Sequence, residues 1–173
     1  TVSGIVQEDA LETGNEDSPA DTTVATGTVL GLVDAGADEP LSFSVRTTGL
    51  ADLGLKSKGV SLTYAASDSD SDGIADTITA TGPEGAVFTV KVGTDGSYRF
   101  ELLDQLDHAD GSGDDAELSI NLSSAVVATD ADGDIVLVDN GFTVNVENDV
   151  PENNSATVSG IVQEDALETG NED

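Results

Sequence analysis

Apolar and polar residues alternate along much of this chain with a period of two, which is the pattern of β-strands with one buried face. Helical periodicity is not sustained anywhere, although residues 103–110 could form one helical turn and 48–59 fit neither pattern. Many short strands with this spacing predict an all-β fold, an Ig-like antiparallel β-sandwich. The segments that carry the predicted inward faces are 1–7, 28–33, 41–46 (Leu41, Phe43, Val45), 60–64 (Val60, Leu62, Tyr64), 74–81, 88–92 (Phe88, Val90, Val92), 98–102 (Tyr98, Phe100, Leu102), 118–122 (Leu118, Ile120, Leu122), 135–138 and 142–146.

Two short turn sequences predict β-hairpins between these segments. Gly93-Thr-Asp-Gly96 separates 88–92 from 98–102, and Asp139-Asn-Gly141 separates 135–138 from 142–146. Residues 18–23, which include Pro19, predict a loop. Polar residues fill most outward positions, so the alternation predicts a monomer without a large exposed apolar patch.

The first seventeen residues, TVSGIVQEDALETGNED, return unchanged as the last seventeen, at an offset of 156 positions from Thr1 to Thr157. Repetition at a fixed period indicates a tandem array, and 156 residues are enough for one domain with its own core. We therefore interpret 1–156 as one complete unit, with a junction at about 147–156. Residues 157–173 are then the opening strand and acidic run of the next unit, so neighbouring repeats are expected partners.

Charge narrows the possible partners. The chain carries 35 acidic residues against five Lys and Arg, for a formal net charge of −30. Such a chain is repelled by nucleic acid and by anionic membrane surfaces, and no apolar run is long enough to insert into a membrane. The absence of Cys excludes disulfides, thiolate metal sites and Cys nucleophiles. The partner that this charge favours is a cation.

The acidic stretch Asp68-Ser-Asp-Ser-Asp-Gly-Ile-Ala-Asp76 has oxygen ligands at every second residue and a glycine after the third, which suits a chain wrapped around Ca²⁺. Carboxylates would come from Asp68, Asp70, Asp72 and Asp76, and a backbone carbonyl from Ile74. An EF-hand would have a bidentate Glu at the twelfth position, where this chain has Thr79, and strands rather than helices flank the stretch. The alternative is a solvated acidic loop.

Three further acidic clusters predict several Ca²⁺ ions per repeat. They are Asp130, Asp132 and Asp134; Asp107 and Asp110 in the Gly-rich stretch 107–115; and Glu147, Asn148 and Asp149 at the junction. The acid pair Glu8 and Asp9 of the repeated opening is also predicted to bind Ca²⁺, and it returns as Glu164 and Asp165 shortly after the junction. A polar turn is the alternative for the Asp130 cluster. Our hypothesis for the junction is an interdomain Ca²⁺ site in which Glu164 or Asp165 joins residues 147–149.

His108 is the one histidine. Zinc would need several nitrogen or sulfur ligands, and none lies near His108 in sequence. A structural histidine that makes a hydrogen bond is therefore the favoured interpretation over a zinc ligand or a member of a catalytic dyad.

Three stretches resemble the extender repeats of giant RTX adhesins, the LapA-like biofilm adhesins and ice-binding adhesins exported by type I secretion. The resemblance lies in DGSYRFELLDQLDH from Asp95, ATDADGD from Ala128 and FTVNVENDVP from Phe142, together with the repeated opening VSGIVQEDAL. It implies an Ig-like sandwich with calcium within and between domains. It also implies ligand roles for Asp130, Asp132, Asp134, Glu147, Asn148 and Asp149, in a junction similar to the cadherin linker.

The function expected from these observations is a non-enzymatic extender module. Calcium would stiffen the module so that a terminal binding domain projects from the bacterial cell surface for adhesion and biofilm formation, which is an extracellular location. The rival function is a carbohydrate-binding or polysaccharide-acting sandwich, because a glycosidase-like carboxylate pair could exist among 35 acids. Against this rival, the chain has no Trp, two Tyr and four Phe for stacking on sugars.

Overall fold

The computed structural model describes residues 1–15, 18–109, 111, 113–114, 116–153 and 157–161. In these residues the regular structure is β-strand, apart from three-residue 3₁₀ turns at Glu8–Ala10, Leu30–Leu32, Ala51–Leu53 and Ser123–Ala125. The strands are β1 (Val2–Gln7), β2 (Val24–Thr28), β3 (Ser42–Val45), β4 (Lys56–Ser57), β5 (Val60–Ser61), β6 (Thr63–Ser67), β7 (Thr77–Gly82), β8 (Gly85–Val92), β9 (Ser97–Leu102), β10 (Glu117–Asn121), β11 (Val126–Thr129), β12 (Ile135–Leu137) and β13 (Phe142–Glu147).

The strands form an Ig-like β-sandwich, as the alternation predicted. One sheet has five strands in the order β2–β9–β8–β7–β6, and two three-stranded sheets have the orders β1–β13–β10 and β12–β11–β3. Strands β4 and β5 form a separate small hairpin. All of these pairs are antiparallel except β1 with β13, which run parallel.

Aromatic side chains fill the space between the sheets. Phe88 and Phe100 stack on neighbouring strands of the five-stranded sheet, with ring centroids 5.1 Å apart. Tyr98 of β9 meets Phe142 of β13 at 4.7 Å, which joins the five-stranded sheet to the facing three-stranded sheet. The predicted inward positions of β8, β9 and β13 are buried, so the period-two pattern identified this part of the core correctly.

The parallel pairing of β1 with β13 gives the domain two distinct ends. Val2 lies opposite Phe142, and five residues later Gln7 lies opposite Glu147. We call the end where both strands begin the entry end, and the end where both strands finish the exit end. The chain therefore enters the domain at one end and leaves it at the other.

Pairing of the remaining strands assigns the loops to these two ends. The amide of Gln7 donates to the carbonyl of Thr22 at 3.0 Å, so β2 starts at the exit end and finishes at the entry end. There, Thr28 pairs with Ser97 of β9. Both the turn at 93–96 and the acidic loop at 68–76 therefore lie towards the entry end, because Val92 N donates to Asp76 O at 2.8 Å.

The strand expected at 28–33 is wrong, since the strand is β2 at Val24–Thr28 and a 3₁₀ turn follows it. The inward positions of β2 are small because large neighbours occupy the space. A Cβ added to Gly27 would lie 2.7 Å from the Tyr98 ring, and Ala25 lies under Gly4 of β1. Thr28 then ends the strand by accepting the amide of Leu30 at 3.2 Å.

The first predicted hairpin is confirmed and the second is wrong. Strands β8 and β9 pair around 93–96. In contrast, β12 pairs with β11 and β13 pairs with β1 and β10, so 139–141 connects two different sheets. The start of β13 is already bound to another segment, because Phe142 N donates to Ser123 Oγ at 3.0 Å and Leu122 N donates to Phe142 O at 2.9 Å.

Several other segments have a local structure that differs from the one their sequence pattern indicated. The described part of 103–110 has no helical turn, because its amides bond to distant groups: Leu103 N to Val87 O and Asp107 N to Lys56 O, each at 2.8 Å. The ambiguous region 48–59 contains one 3₁₀ turn and strand β4. Val60, expected to face inward, is 49% exposed on the β4–β5 hairpin. Strand β7 begins at Thr77 rather than at residue 74, because the acidic loop extends to Asp76.

Exposed apolar residues concentrate on β12, contrary to the expectation that outward positions would be polar. Ile135, Val136 and Leu137 are 67%, 46% and 38% exposed. In the tail, Val158 and Ile161 are 98% and 93% exposed. Within the described ranges there is no helix with the length and apolar character needed to cross a membrane.

Candidate cation sites at the two ends of the domain

The exit end brings together three carboxylates that are far apart in sequence. Asp9 follows β1, Asp114 precedes β10 and Asp149 follows β13, and one carboxylate oxygen from each lies within 4.8 Å of the others. This separation suits a shared Ca²⁺, because two oxygens bound at about 2.4 Å can be at most about 4.8 Å apart. Asp9 is 3% exposed, so a cation here would be held partly inside the protein.

Neighbouring backbone and amide groups orient these carboxylates. Asn15 donates its backbone amide to Asp149 Oδ2 at 3.2 Å and its side-chain amide to Asp149 Oδ1 at 3.1 Å and to Val150 O at 2.9 Å. Val150 N donates to Asp114 Oδ1 at 3.0 Å. The segment after β1 is therefore fastened to the start of the junction, and the acids are positioned before any cation arrives.

A cavity of about 840 Å³ opens beside this cluster, and Glu8, Asp107, His108, Asn148 and Asp149 contribute to its lining. Glu8 is 4% exposed, and its Oε1 accepts the amide of Leu106 at 2.6 Å. The same oxygen lies 3.6 Å from His108 Nε2, and this nitrogen has no hydrogen-bond partner among the described residues. Glu8 and His108 thus lie next to the carboxylate cluster but are not part of it.

Hydrogen bonds and strand pairing locate three more of the residues that the sequence predicted as ligands. Asp107 accepts the amide of Gly59 at 2.8 Å, which ties it to the β4–β5 hairpin rather than to the cluster. Glu147 lies opposite Glu117 in the sheet, and the side-chain amide of Asn148 donates to Gly113 O at 3.1 Å. Asp110, Glu164 and Asp165 lie outside the described residues.

Asp114 is the ligand candidate that sequence reasoning did not select. It stands in the acidic Gly-rich stretch 107–115, but nothing in that stretch distinguishes it from its neighbours. The useful signal is its position just before β10, since β10 begins opposite the end of β13. Any acid at that point must lie close to the junction.

The loop at 68–76 forms a second cluster, at the entry end. Asp68, Asp70 and Asp72 are exposed, with one carboxylate oxygen of each within 4.8 Å of the others. Asp68 accepts the amides of Gly73 at 2.8 Å and Ser71 at 2.6 Å. These hydrogen bonds, that from Gly73 above all, hold the pKa of Asp68 below its usual value.

Asp76, which the spacing also suggested as a ligand, is not one of the three carboxylates of this cluster, whereas the carbonyl of Ile74 stays a predicted ligand. Asp76 turns toward the sheet, where it accepts Ser69 Oγ at 2.6 Å and Thr77 Oγ1 at 2.8 Å and lies 3.3 Å from Lys91 Nζ. Burial would raise the pKa of the Asp76 carboxyl, but these partners outweigh burial and lower it to about 2. Ile74 donates its amide to Asp72 Oδ1 at 2.8 Å. Asp76 thus anchors the loop.

We expect the double substitution Asp70→Asn with Asp72→Asn to reduce bound Ca²⁺ by about one ion per chain, since it removes two of the three carboxylates of one site. Equilibrium dialysis with a calcium assay measures this number. Asp76→Asn is the matched control: it should keep the ion count and lower the free energy of unfolding by about 1–3 kcal/mol, because buried charge-assisted hydrogen bonds are lost. An unchanged ion count in the double variant would mean that the loop is a solvated turn.

The third cluster is the turn between β11 and β12. One carboxylate oxygen from each of Asp130, Asp132 and Asp134 lies within 4.8 Å of the others. Asp130 Oδ1 accepts the amides of Gly133 at 3.0 Å and Asp134 at 2.8 Å. A hydrogen bond shared between the Asp130 and Asp132 carboxyls lowers the pKa of Asp130 and raises that of Asp132. Two carboxylates forced together in this way favour a cation between them.

This arrangement changes the hypothesis for an interdomain site. Glu164 and Asp165 are the counterparts of Glu8 and Asp9, which lie at the exit end, a full strand length beyond the point of entry. In a second copy with the same fold, Glu164 and Asp165 would therefore lie far from the junction. The acids of the second copy nearest the junction would be those of its own entry end.

No family model, curated protein or solved structure was found to match this chain. Its function must therefore be inferred from its own sequence and geometry.

Proposed function

We propose that this chain is a non-enzymatic spacer module of a tandem array, stiffened by calcium, in a large adhesin on a bacterial cell surface. The parallel pairing of β1 with β13 carries this proposal. It puts entry and exit at opposite ends of the domain, and the unchanged repeat starts a new copy ten residues after β13 ends. Successive copies then follow one another along a line, and each copy adds length.

In such an array, calcium would act at the junctions between successive copies. The exit end carries Asp9, Asp114 and Asp149. The entry end of the next copy would carry the counterparts of the Asp68 cluster and of the Asp130 cluster, since Asp130 and Asp134 line one groove with Asn140, which adjoins the start of β1. Acids from both copies would face each other across the junction and repel each other. Divalent cations would remove this repulsion and bind carboxylates on both sides, so that the junction resists bending.

The positions of the aromatic residues favour a spacer over a sugar-binding or sugar-cleaving module. Of the four Phe and two Tyr in the chain, all four Phe and Tyr98 are buried. Tyr64 lies against Phe88, with ring centroids 6.4 Å apart. Among the described residues, those that line the exit-end cavity include no Phe, Tyr or Trp. Stacking on sugar rings would have to come from side chains that already form the core.

The proposal predicts the shape of a protein that contains two full units. In millimolar Ca²⁺, small-angle X-ray scattering should give a maximum dimension close to twice that of one unit. In EDTA the distance distribution should become shorter and broader, because the junction then bends like a flexible linker.

A paired substitution tests whether the exit-end cluster produces this stiffness. Asp114→Asn with Asp149→Asn in the first unit should give the EDTA-like distribution even in Ca²⁺, while both domains stay folded by circular dichroism. Asp52→Asn with Glu84→Gln removes two exposed charges outside the clusters and should leave the extended shape unchanged. Equal maximum dimensions of the unsubstituted protein with and without Ca²⁺ would refute the stiffening role.

A further inference from the structure

A groove lined by both apolar and acidic side chains lies along β12 at the edge of its sheet. We call it the β12 groove; it has a volume of about 450 Å³. In the described residues β12 pairs with β11 alone, so its other edge has no strand beside it. An exposed apolar edge strand tends to bind another chain unless something covers it. The apolar residues that line the groove include Leu32, Val33, Leu41, Ile135, Val136 and Leu137.

The groove adjoins the point where the chain enters the domain. Asn140 lines the groove, and the next residue, Gly141, accepts the amide of Val2 at 2.5 Å. A Cβ added to Gly141 would lie 3.2 Å from Leu32 Cδ2 and 3.5 Å from the Cα of Thr1. Whatever precedes Thr1 in an array therefore arrives beside this groove.

We propose that in the array each β12 groove is covered by the exit end of the preceding copy, led by its junction segment 150–153. The inference rests on the tandem arrangement proposed above. Ten residues, 148–157, connect the end of β13 to the next β1, and they can span at most about 35 Å. So short a tether keeps the exit end at a high effective concentration next to the groove.

The segment 150–153, Val-Pro-Glu-Asn, has chemistry that suits the groove. Pro151 and Val150 supply apolar surface, and Pro151 is exposed in the single unit. Glu152 would approach Asp130 and Asp134, which also line the groove. Carboxylates would then meet from both copies, so the covering should require a divalent cation to offset their repulsion.

Because the chain has no Cys, a single introduced thiol can report whether the groove is covered. Val136→Cys places this thiol in the groove at a position that is 46% exposed, and Val60→Cys is a matched control at a position that is 49% exposed. Each substitution is made in the single unit, in the first unit of a two-unit protein and in the second. The rate of thiol labelling is measured in Ca²⁺ and in EDTA.

In Ca²⁺, the Val136→Cys thiol in the second unit should react at least tenfold more slowly than in the first unit or in the single unit. The protection should disappear in EDTA, and Val60→Cys in the second unit, which has no copy after it, should react at the same rate as in the single unit. Equal Val136→Cys rates in the first and second units would overturn the inference. Protection in the single unit that grows with protein concentration would also overturn it, since the groove would then bind a separate copy.

Scattering separates this inference from the proposed function. A two-unit protein that is extended in Ca²⁺ but labels equally at both Val136→Cys positions retains the spacer function and refutes only the covered groove. A protein whose maximum dimension is the same with and without Ca²⁺ refutes the calcium-stiffened spacer whatever its labelling rates.

Discussion

Chelating calcium is expected to lower the midpoint of thermal unfolding by roughly 15–30 °C. In the part of the chain that the structure describes, three acidic clusters each bring their carboxylates close enough to bind one cation. A ligand present at a hundred times its dissociation constant stabilises the native state by about 2.7 kcal/mol per site. For a domain of this size each kcal/mol corresponds to about 2–4 °C. Removal of the cations also leaves the formal charge of −30 without neutralisation.

Differential scanning calorimetry in EDTA and in millimolar Ca²⁺ measures this shift. NaCl at matched ionic strength is the essential control, because salt alone screens repulsion between exposed acids. Mg²⁺ is the second control and should stabilise less than Ca²⁺, since it demands a stricter octahedral site. If NaCl raised the midpoint as much as Ca²⁺, the clusters would be screened charges rather than binding sites.

Phe142→Ala is expected to lower the free energy of unfolding by about 3–5 kcal/mol. Phe142 is fully buried, and its ring contacts Tyr98 on the facing sheet at a centroid distance of 4.7 Å. Truncation would leave a cavity between the two sheets at the entry end. Urea unfolding in saturating Ca²⁺ measures the change without loss of cation.

Ile135→Ala is the matched control for this core substitution. Ile135 is also a large apolar residue on a strand but is 67% exposed, so its truncation in the single unit should change stability by less than about 0.5 kcal/mol. Comparable losses for both variants would contradict the assigned core between β9 and β13.

Large inward side chains made part of this fold predictable from sequence. The alternation of Phe88, Val90 and Val92 with Tyr98, Phe100 and Leu102 across a Gly-Thr-Asp-Gly turn specifies a hairpin without help from the rest of the chain. Strand β2 was predicted at the wrong position because its inward side chains are small. Its inward residues are Ala25 and Gly27, because the Tyr98 ring and β1 already occupy the space.

Two of the candidate sites could be predicted from residues close in sequence, whereas the third depends on contacts between distant segments. The Asp68 and Asp130 clusters consist of residues close in sequence, so their spacing alone suggested that their carboxylates would meet. Asp9, Asp114 and Asp149 meet only because β1, β10 and β13 share a sheet, which no local pattern reveals. Spacing also misplaced Asp76, whose partner Lys91 is supplied by the neighbouring strand β8.

The parallel pairing of β1 with β13 also determines how the domain would carry tension. If an array is pulled from its two ends, the force enters at the start of β1 and leaves at the end of β13. The two strands are then drawn past each other along their length, so the bonds along six residue pairs, from Val2–Phe142 to Gln7–Glu147, bear the load together. An antiparallel pair pulled from its open end would instead break one bond after another. Loading in shear raises the force at which such a module gives way, a property suited to a tether that holds a cell against flow.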